Sequence, residues 1–281
     1  MHHTLINADC KDWIRTSNQS WDTIFADPPD NIGKKYATSN DSIPDGQYTN
    51  MLNIWLRCFA HHAKTVWLSY NAKWSFAVGM IVHDMLRDLG WLRARNCVQT
   101  FTFGQHNHHD LGNNHRPLLR LQHADAPLFP DAIRVPSWRQ KNGDKRADPR
   151  GRVPSDVFDF PKVTGNSKQR RSWHPTQLNE GLVERCLRLT TPEGGAVLDP
   201  FAGTGTTLRV CHRLGFQCTL IEREREYCEK IAGEHGMERR KSFSAPTWTA
   251  AMKCLECGLP MIPTSKDYYA CPRGHGRLQP R

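Results

Sequence analysis

Short apolar runs alternate with longer amphipathic segments along most of the chain. The runs at 23–26, 65–70 and 196–198 are typical of buried strands, and residues 47–63 carry apolar side chains at helical spacing. The same pattern predicts further strands near 93–103, 116–122 and 216–221 and further helices at 74–89, 177–190 and 224–235, with another that ends near 214. Since short strands that alternate with helices favour a parallel sheet, the pattern predicts a doubly wound, mainly parallel α/β fold.

Residues 91–173 interrupt this pattern. From 134 onward their basic residues are interleaved with Pro, Gly, Ser and Asn, and little apolar periodicity remains, which predicts long loops. The interval holds 15 Lys and Arg against 7 Asp, in a chain of 281 residues whose formal net charge is +10. A basic surplus indicates an anionic partner, most often nucleic acid, although a solvated and partly disordered insertion has the same composition.

The sequence argues against a membrane protein or a secreted protein. No stretch approaches the 18 or so consecutive apolar residues of a spanning helix. The first residues lack a basic segment followed by a long apolar one, so no signal peptide is expected. Seven of the ten cysteines are scattered, as free thiols in a reducing cytoplasm would be: Cys10, Cys58, Cys97, Cys186, Cys211, Cys218 and Cys228.

The other three cysteines form a cluster near the C-terminus. A Cys-x-x-Cys pair is followed, after thirteen intervening residues, by Cys-Pro-Arg-Gly-His, and the two pairs can close a tetrahedral Cys₃His site. The predicted ligands of one structural zinc ion are Cys254, Cys257, Cys271 and His275. We therefore predict a small zinc-ribbon-like module over 253–281, with a short strand at 268–270; a flexible tail with chance cysteines is the alternative.

A glycine-rich turn follows the strand at 196–198. It reads Asp-Pro-Phe-Ala-Gly-Thr-Gly-Thr-Thr over 199–207, and no Gly-Lys-Ser/Thr follows, which excludes a phosphate loop. Glu222 ends the next predicted strand, about 20 residues further on, where a carboxylate can hold both hydroxyls of a ribose. The glycine-rich turn and Glu222 together predict a nucleoside-containing ligand; an ordinary tight turn is the alternative.

A second motif follows the strand at 23–26. The chain reads Asp27-Pro28-Pro29-Asp30 and continues Asn-Ile-Gly-Lys-Lys-Tyr. It resembles the catalytic motif of the amino-group DNA methyltransferases, in which Asp, Asn or Ser precedes Pro-Pro and an aromatic residue. Three more segments resemble cofactor-side motifs of that family: Ile6-Asn-Ala-Asp9-Cys10, Trp173-His174-Pro175-Thr176-Gln177 and the glycine-rich turn.

The order of these motifs is similar to that of the β class of the family, with the catalytic motif first and the cofactor turn last. Glutamine and guanine-N2 methyltransferases usually carry the cofactor turn first, and the absence of a Pro-Cys dipeptide argues against cytosine-C5 methylation. The resemblance implies a Rossmann-like S-adenosylmethionine-dependent sheet in five parts: a catalytic half at 1–90, a basic target-recognition region at 91–173, a cofactor-binding half at 174–235, a linker at 236–252 and the zinc-ribbon-like module at 253–281.

The resemblance also implies a role for each matching residue. The catalytic residues are Asp27, Pro28, Pro29 and Asp30. The residues that bind S-adenosylmethionine are Asp9, Cys10, Asp27, His174, Pro175, Thr176, Asp199, Pro200, Phe201, Ala202, Gly203, Gly205, Thr206, Thr207, Glu222 and Arg223. The residues expected to contact DNA are Lys34, Lys35, Tyr36, Arg116, Arg139, Lys141, Lys145, Arg146, Arg170 and Arg171.

The expected activity is methylation of the exocyclic N6 amine of an adenine flipped out of double-stranded DNA. Asp27, rather than Ser, at the head of the motif favours adenine over the alternative, cytosine-N4. One departure from the family is Asp30, which stands where an aromatic residue usually stacks on the base. Either Tyr36 or Trp67 stacks instead, or Asp30 contacts a base edge, or the chain is a catalytically inactive nucleic-acid-binding homologue. A homodimer and a restriction partner are compatible with this family.

Overall fold

The computed structural model describes residues 2–17, 19–101, 107–236, 239–241, 262–265, 268–270 and 277–278. Nine strands form the main sheet: β1 (His3–Asn7), β2 (Trp21–Ala26), β3 (Ala63–Ser69), β4 (Leu92–Thr100), β5 (His115–His123), β6 (Val157–Asp159), β7 (Ala196–Asp199), β8 (Gln217–Glu222) and β9 (Arg239–Lys241). Their order is β6-β4-β5-β3-β2-β7-β8-β1-β9. All neighbours are parallel except β3 with β5 and β4 with β5, so the sheet is mainly parallel, as predicted.

Helices cover both faces of this sheet. They are α1 (Cys10–Thr16), α2 (Asp45–His62), α3 (Ser75–Asp88), α4 (Trp138–Lys141), α5 (Glu180–Thr190), α6 (Thr206–Leu214) and α7 (Arg225–His235). Successive strand residues point to opposite faces: Ile24 and Val66 belong to the apolar cluster that includes α2 and α3, whereas Phe25 and Trp67 belong to the cluster that includes α5 and α6. The doubly wound arrangement is therefore confirmed.

The interval between β5 and α5 is irregular, as its composition predicts. In the described part of the chain it contains only β6, α4 and a 3-10 turn at Pro130–Ile133. By contrast, β4 and β5 lie within the main sheet, paired with each other from Leu92 and His123 to Thr100 and His115. The first third of the predicted target-recognition region is thus an extension of the sheet, and the loop-rich part begins after β5.

The C-terminal segment has a separate three-stranded antiparallel sheet. It consists of β10 (Ile262–Ser265), β11 (Tyr268–Ala270) and β12 (Arg277–Leu278), and β11 coincides with the strand predicted there. The four predicted zinc ligands lie outside the described residues, so the zinc ion stays a prediction. Within the described residues, no helix has the length and apolar content needed to cross a membrane.

Candidate active site

A cavity of about 640 Å³ lies at the carboxyl ends of β2, β7 and β8, where ligands bind in sheets of this type. It brings the two motifs together, because the turn after β2 and the turn after β7 both contribute to its wall. The predicted site residues that line it are Asp9, Cys10, Asp27, Pro28, Pro29, Asp30, Lys34, Tyr36, Arg116, His174, Pro175, Thr176, Asp199, Pro200, Phe201, Ala202, Gly203, Thr206, Thr207, Glu222 and Arg223.

Other predicted site residues are not part of the cavity wall. Gly205 is the N-terminal cap of α6, and its φ of 72° explains the need for glycine. The remaining ones are basic: Lys35, Arg139, Lys141, Lys145, Arg146, Arg170 and Arg171. Arg171 pairs with Glu234 on α7 at 3.0 Å, and Arg146 pairs with Asp144 at 3.0 Å. Contact of these basic residues with DNA stays a prediction.

The cofactor side of the cavity is built from backbone N–H groups and two carboxylates. Glu222 accepts hydrogen bonds from the amides of Gly203 and Glu224, both at 2.8 Å. Asp199 accepts one from the amide of Phe201 at 3.0 Å. A Cβ at Gly203 would lie 3.3 Å from His174 Nε2, and its φ is +52°, so only glycine leaves this turn open to a ligand.

Burial sets the acidity of these two carboxyl groups. It raises the pKa of Asp199 to about 7, with the hydrogen bonds from Thr207 and Phe201 acting in the opposite direction. It also raises the pKa of Glu222 to about 7, against the hydrogen bonds from Glu224 and Gly203. A ligand that donates hydrogen bonds or carries positive charge favours the ionised forms. The cavity therefore suits a cationic ligand with hydroxyl groups.

The target side of the cavity centres on a guanidinium group. Arg116 Nη2 donates to Asp27 Oδ1 at 2.8 Å and to Asp30 Oδ1 at 2.9 Å, and Nη1 donates to Asp30 Oδ2 at 3.0 Å. Its Nε donates to Ser69 Oγ at 2.7 Å, and the Ser69 hydroxyl in turn bonds the Asp27 carboxylate. Arg116, expected to contact DNA, is thus occupied with the catalytic motif.

The backbone of the catalytic motif is fixed by two aromatic side chains. The Tyr48 hydroxyl donates to the carbonyl of Pro29, and Trp74 Nε1 donates to the carbonyl of Asp30 at 2.7 Å. In the described part of the chain, no donor reaches the carbonyl of Pro28. Pro28 consequently keeps an acceptor available at the cavity wall.

The loop that follows the motif joins the two sides of the cavity. Glu224 accepts from the Thr38 amide at 2.9 Å, from the Thr38 hydroxyl at 2.5 Å and from the Ser39 hydroxyl at 2.6 Å. Between these contacts and the motif, the Tyr36 ring lies 5.9 Å from the His174 ring. The loop therefore carries Tyr36 into the cavity wall.

The structure separates the two aromatic residues considered as replacements at position 30. Tyr36 lines the cavity. Trp67 is 1% exposed, packs against Phe158, and donates from Nε1 to Thr190 Oγ1 at 3.2 Å. The suggestion that Trp67 stacks on a base is wrong, because β3 is covered on both faces and the Trp67 side chain lies in the core beside Phe158.

A protein-family model described as DNA methylase, of the N6/N4 type, matches residues 21–233. This chain belongs to that family. The methylase is 26% identical over 243 residues to the Type II methyltransferase M.ScaI of Streptomyces caespitosus, covering 80% of this chain and 78% of that protein. It is 32% identical over 218 residues to the Type II methyltransferase M.HpaI of Haemophilus parainfluenzae, covering 75% of this chain and 66% of that protein.

Solved structures share the fold of the methylase. The PvuII DNA methyltransferase, described as cytosine-N4-specific, aligns with a TM-score of 0.65 at 12% identity, covering 84% of this chain and 86% of that chain. The M1.HpyAVI–SAM complex aligns with a TM-score of 0.57 at 16% identity, covering 84% and 100%. The predictions of family, fold class and S-adenosylmethionine as methyl donor are confirmed.

The residues around the cavity fit this donor. Glu222, with an additional lone pair on each oxygen, can accept from the ribose hydroxyls, and the open turn at Gly203 leaves room beside it. When it is ionised, the Asp199 carboxylate suits its positive charges. When bound, S-adenosylmethionine supplies a methyl group activated by its sulfonium.

Sequence reasoning missed several residues of the methylase site. Ser69 ends β3 and therefore lies at the same sheet edge as Asp27, so the strand-end rule that found Glu222 could have found it. Trp74 and Glu224 carried no signal, because their roles depend on loops that approach only in the folded chain.

Proposed function

We propose that this methylase transfers a methyl group to the N6 amine of an adenine that is flipped out of double-stranded DNA. The observation that carries the proposal is the common cavity: Asp27 and Pro28 line it together with Asp199 and Glu222 of the cofactor side. An acceptor for an amine thus lies beside the place where the methyl donor binds.

Two acceptors of the motif suit the two hydrogens of an amino group. An exocyclic amine is a weak nucleophile because its lone pair is delocalised into the ring. The Asp27 carboxylate bonds Arg116 and Ser69 and keeps further lone pairs that can accept, and Pro28 has its carbonyl available. Hydrogen bonds from both N–H groups favour a pyramidal nitrogen and direct its lone pair to the methyl group.

The base must leave the helix to reach these acceptors, because the motif lies at the wall of a cavity and a paired base is stacked between its neighbours. Tyr36 is the aromatic residue of the loop that we assign to stacking on the flipped base. The basic residues between β5 and α5, with Arg170 and Arg171 among them, are assigned to phosphates, on which most protein–DNA contacts fall. The leading Asp27 supports adenine over cytosine, whose N4 amine could use the same acceptors.

One experiment distinguishes the candidate activities. Duplex DNA is incubated with the methylase and S-adenosylmethionine, digested to nucleosides, and analysed by mass. N6-methyl-2′-deoxyadenosine is the expected product; N4-methyl-2′-deoxycytidine would assign the alternative substrate, and no methylated nucleoside would indicate an inactive homologue. Asp27→Ala should abolish the product while the affinity for S-adenosylmethionine, measured by calorimetry, stays close to that of the wild type.

A further inference from the structure

The fourth residue of the catalytic motif, Asp30, is engaged rather than free. We propose that Asp30 and Arg116 act together as a positioning pair that holds the Asp27 carboxylate in place for the target amine, an inference that rests on the proposed function. The pair takes the position at which the family usually carries an aromatic side chain, so base stacking and carboxylate positioning are assigned to different residues in this chain.

The geometry of the pair fixes the guanidinium in three directions. Asp30 receives two parallel bonds, from Nη1 at 3.0 Å and from Nη2 at 2.9 Å, and Ser69 receives one from Nε at 2.7 Å. Bidentate bonds of this kind fix the plane of an arginine. Nη2 can then bond Asp27 Oδ1 at 2.8 Å in only one orientation, and Ser69 bonds the same carboxylate, so its plane is held while lone pairs remain for the amine.

The charges explain why both partners are needed. Arg116 facing Asp27 alone would form a neutral pair, and its positive charge would weaken the carboxylate as an acceptor. Asp30 takes up part of that charge, so the three groups together keep one net negative charge at the cavity wall. Conversely, Asp30 without Arg116 would place two carboxylates side by side with no cation between them.

The pKa of Asp27 depends on this arrangement of charges. Burial raises the pKa of Asp27, Asp30 raises it further, and Arg116 and Ser69 lower it. The other titratable groups coupled electrostatically to Asp27 belong to β7, the motif loop and α2: Asp199, Tyr36 and Tyr48. Removal of Arg116 should therefore raise the pKa of Asp27, and removal of the charge of Asp30 should lower it.

The test is a double-mutant cycle on methyl transfer with Arg116→Met, Asp30→Asn and the double variant. Because unpairing one member of a partly buried ion pair is costly, we expect each single variant to lose at least about tenfold in kcat. If the pair acts as a unit, the double variant should lose no more than about threefold beyond Arg116→Met alone. Cofactor affinity should change little in all three.

The pH profile of kcat separates positioning from a loss of structure. Its acid limb should move to higher pH in Arg116→Met and to lower pH in Asp30→Asn, since the two changes act on Asp27 in opposite directions. The matched control is the buried pair Arg57–Asp88, at 3.1 Å and remote from the cavity. Arg57→Met should lower the melting temperature without moving the acid limb.

Several results would contradict the proposal that Asp30 and Arg116 act as a positioning pair. Losses that multiply in the double variant would show independent residues, and acid limbs that stay in place would show that neither residue acts through Asp27. A wild-type product of N4-methyl-2′-deoxycytidine would refute adenine as substrate but leave the cycle interpretable, because the same acceptors serve either amine. A wild type that transfers no methyl group would refute both proposals.

Discussion

The two sides of the cavity are assembled in different ways. On the cofactor side, Asp199, Gly203 and Glu222 come from one strand-turn-helix-strand unit, and their contacts are local. On the target side, Asp27, Ser69 and Arg116 come from three strands and meet only through the folded sheet. These three residues of the cofactor side are therefore fixed by one segment of sequence, whereas the target side depends on long-range contacts and can change its chemistry by substitutions far from the motif.

The largest expected effect separates the two sides directly. Glu222→Ala removes the carboxylate that we assign to the ribose hydroxyls, and hydrogen bonds to a charged group contribute about 1.5–3 kcal/mol each. We expect the affinity for S-adenosylmethionine to fall by about a hundredfold in calorimetry. Glu226→Ala, an exposed change in the first turn of α7, is the control. A Glu222 variant that binds cofactor normally would remove Glu222 from the cofactor side.

The next prediction concerns the free energy of unfolding, which the buried Asp199 carboxylate on the cofactor side lowers. The ordinary pKa of Asp199 is 3.8, and burial raises it to about 7, so the folded chain loses stability as pH rises from about 4 to about 7 and loses no more above that. Asp199→Asn lacks this cost. We expect it to be more stable than the wild type at pH 8 by about 2 kcal/mol and to gain less at pH 5.

Thermal unfolding at the two pH values measures this difference, with Asp125→Asn as an exposed control. The same variant should bind S-adenosylmethionine more weakly, because a negative charge is lost beside a cationic ligand. Equal stability gains at pH 5 and pH 8 would mean that the charge of Asp199 is not the cause.

On the target side, Tyr36 should affect DNA rather than cofactor. Stacking of a base on an aromatic side chain contributes about 1–3 kcal/mol. Tyr36→Ala should therefore lower kcat/KM for DNA by about tenfold or more, whereas Tyr36→Phe, which keeps the ring, should stay near the wild type. Steady-state kinetics with varied DNA checks this. Equal losses in the two variants would assign the role to the hydroxyl instead.

Substitution of Gly203 by alanine, on the cofactor side, should have a smaller effect. Alanine there would place a Cβ 3.3 Å from His174 Nε2 at a φ of +52°. The strain of a left-handed backbone costs about 1 kcal/mol, and the new methyl group narrows the turn. We expect a lower melting temperature and a cofactor affinity reduced about tenfold, with DNA affinity unchanged. Gly233→Ala, in α7 and with open space around it, is the control.

The smallest effect concerns the basic residues outside the cavity. Lys141 is exposed on α4, and its contact with a DNA phosphate is a prediction. Lys141→Gln should weaken DNA binding a few-fold and reduce the slope of log affinity against log salt by about 1. Fluorescence anisotropy at several salt concentrations measures this slope. An unchanged slope would place Lys141 away from the DNA path.

What the sequence predicts about the site also differs between residues with local contacts and residues with long-range contacts. The sequence predicts that Asp27, Asp199 and Glu222 lie at the site, because each belongs to one short motif of strand, turn and carboxylate that can be recognised locally. Arg116 was recognised only as a basic residue, because pairing across the sheet depends on the register of β3 with β5. The placement of Trp67 failed for a related reason: β3 is covered on both faces, and this burial depends on tertiary packing, which composition does not give.

The strand order also bears on how the chain is made. β1 and β2 leave the ribosome before β7 and β8, yet the two places between them in the sheet belong to β7 and β8. Thr23 of β2 pairs with Val197, and His3 of β1 pairs with Cys218. The edges of β1 and β2 that face β8 and β7 therefore stay unpaired through most of translation. This favours slow, chaperone-assisted folding and makes any product truncated before β7 prone to aggregation.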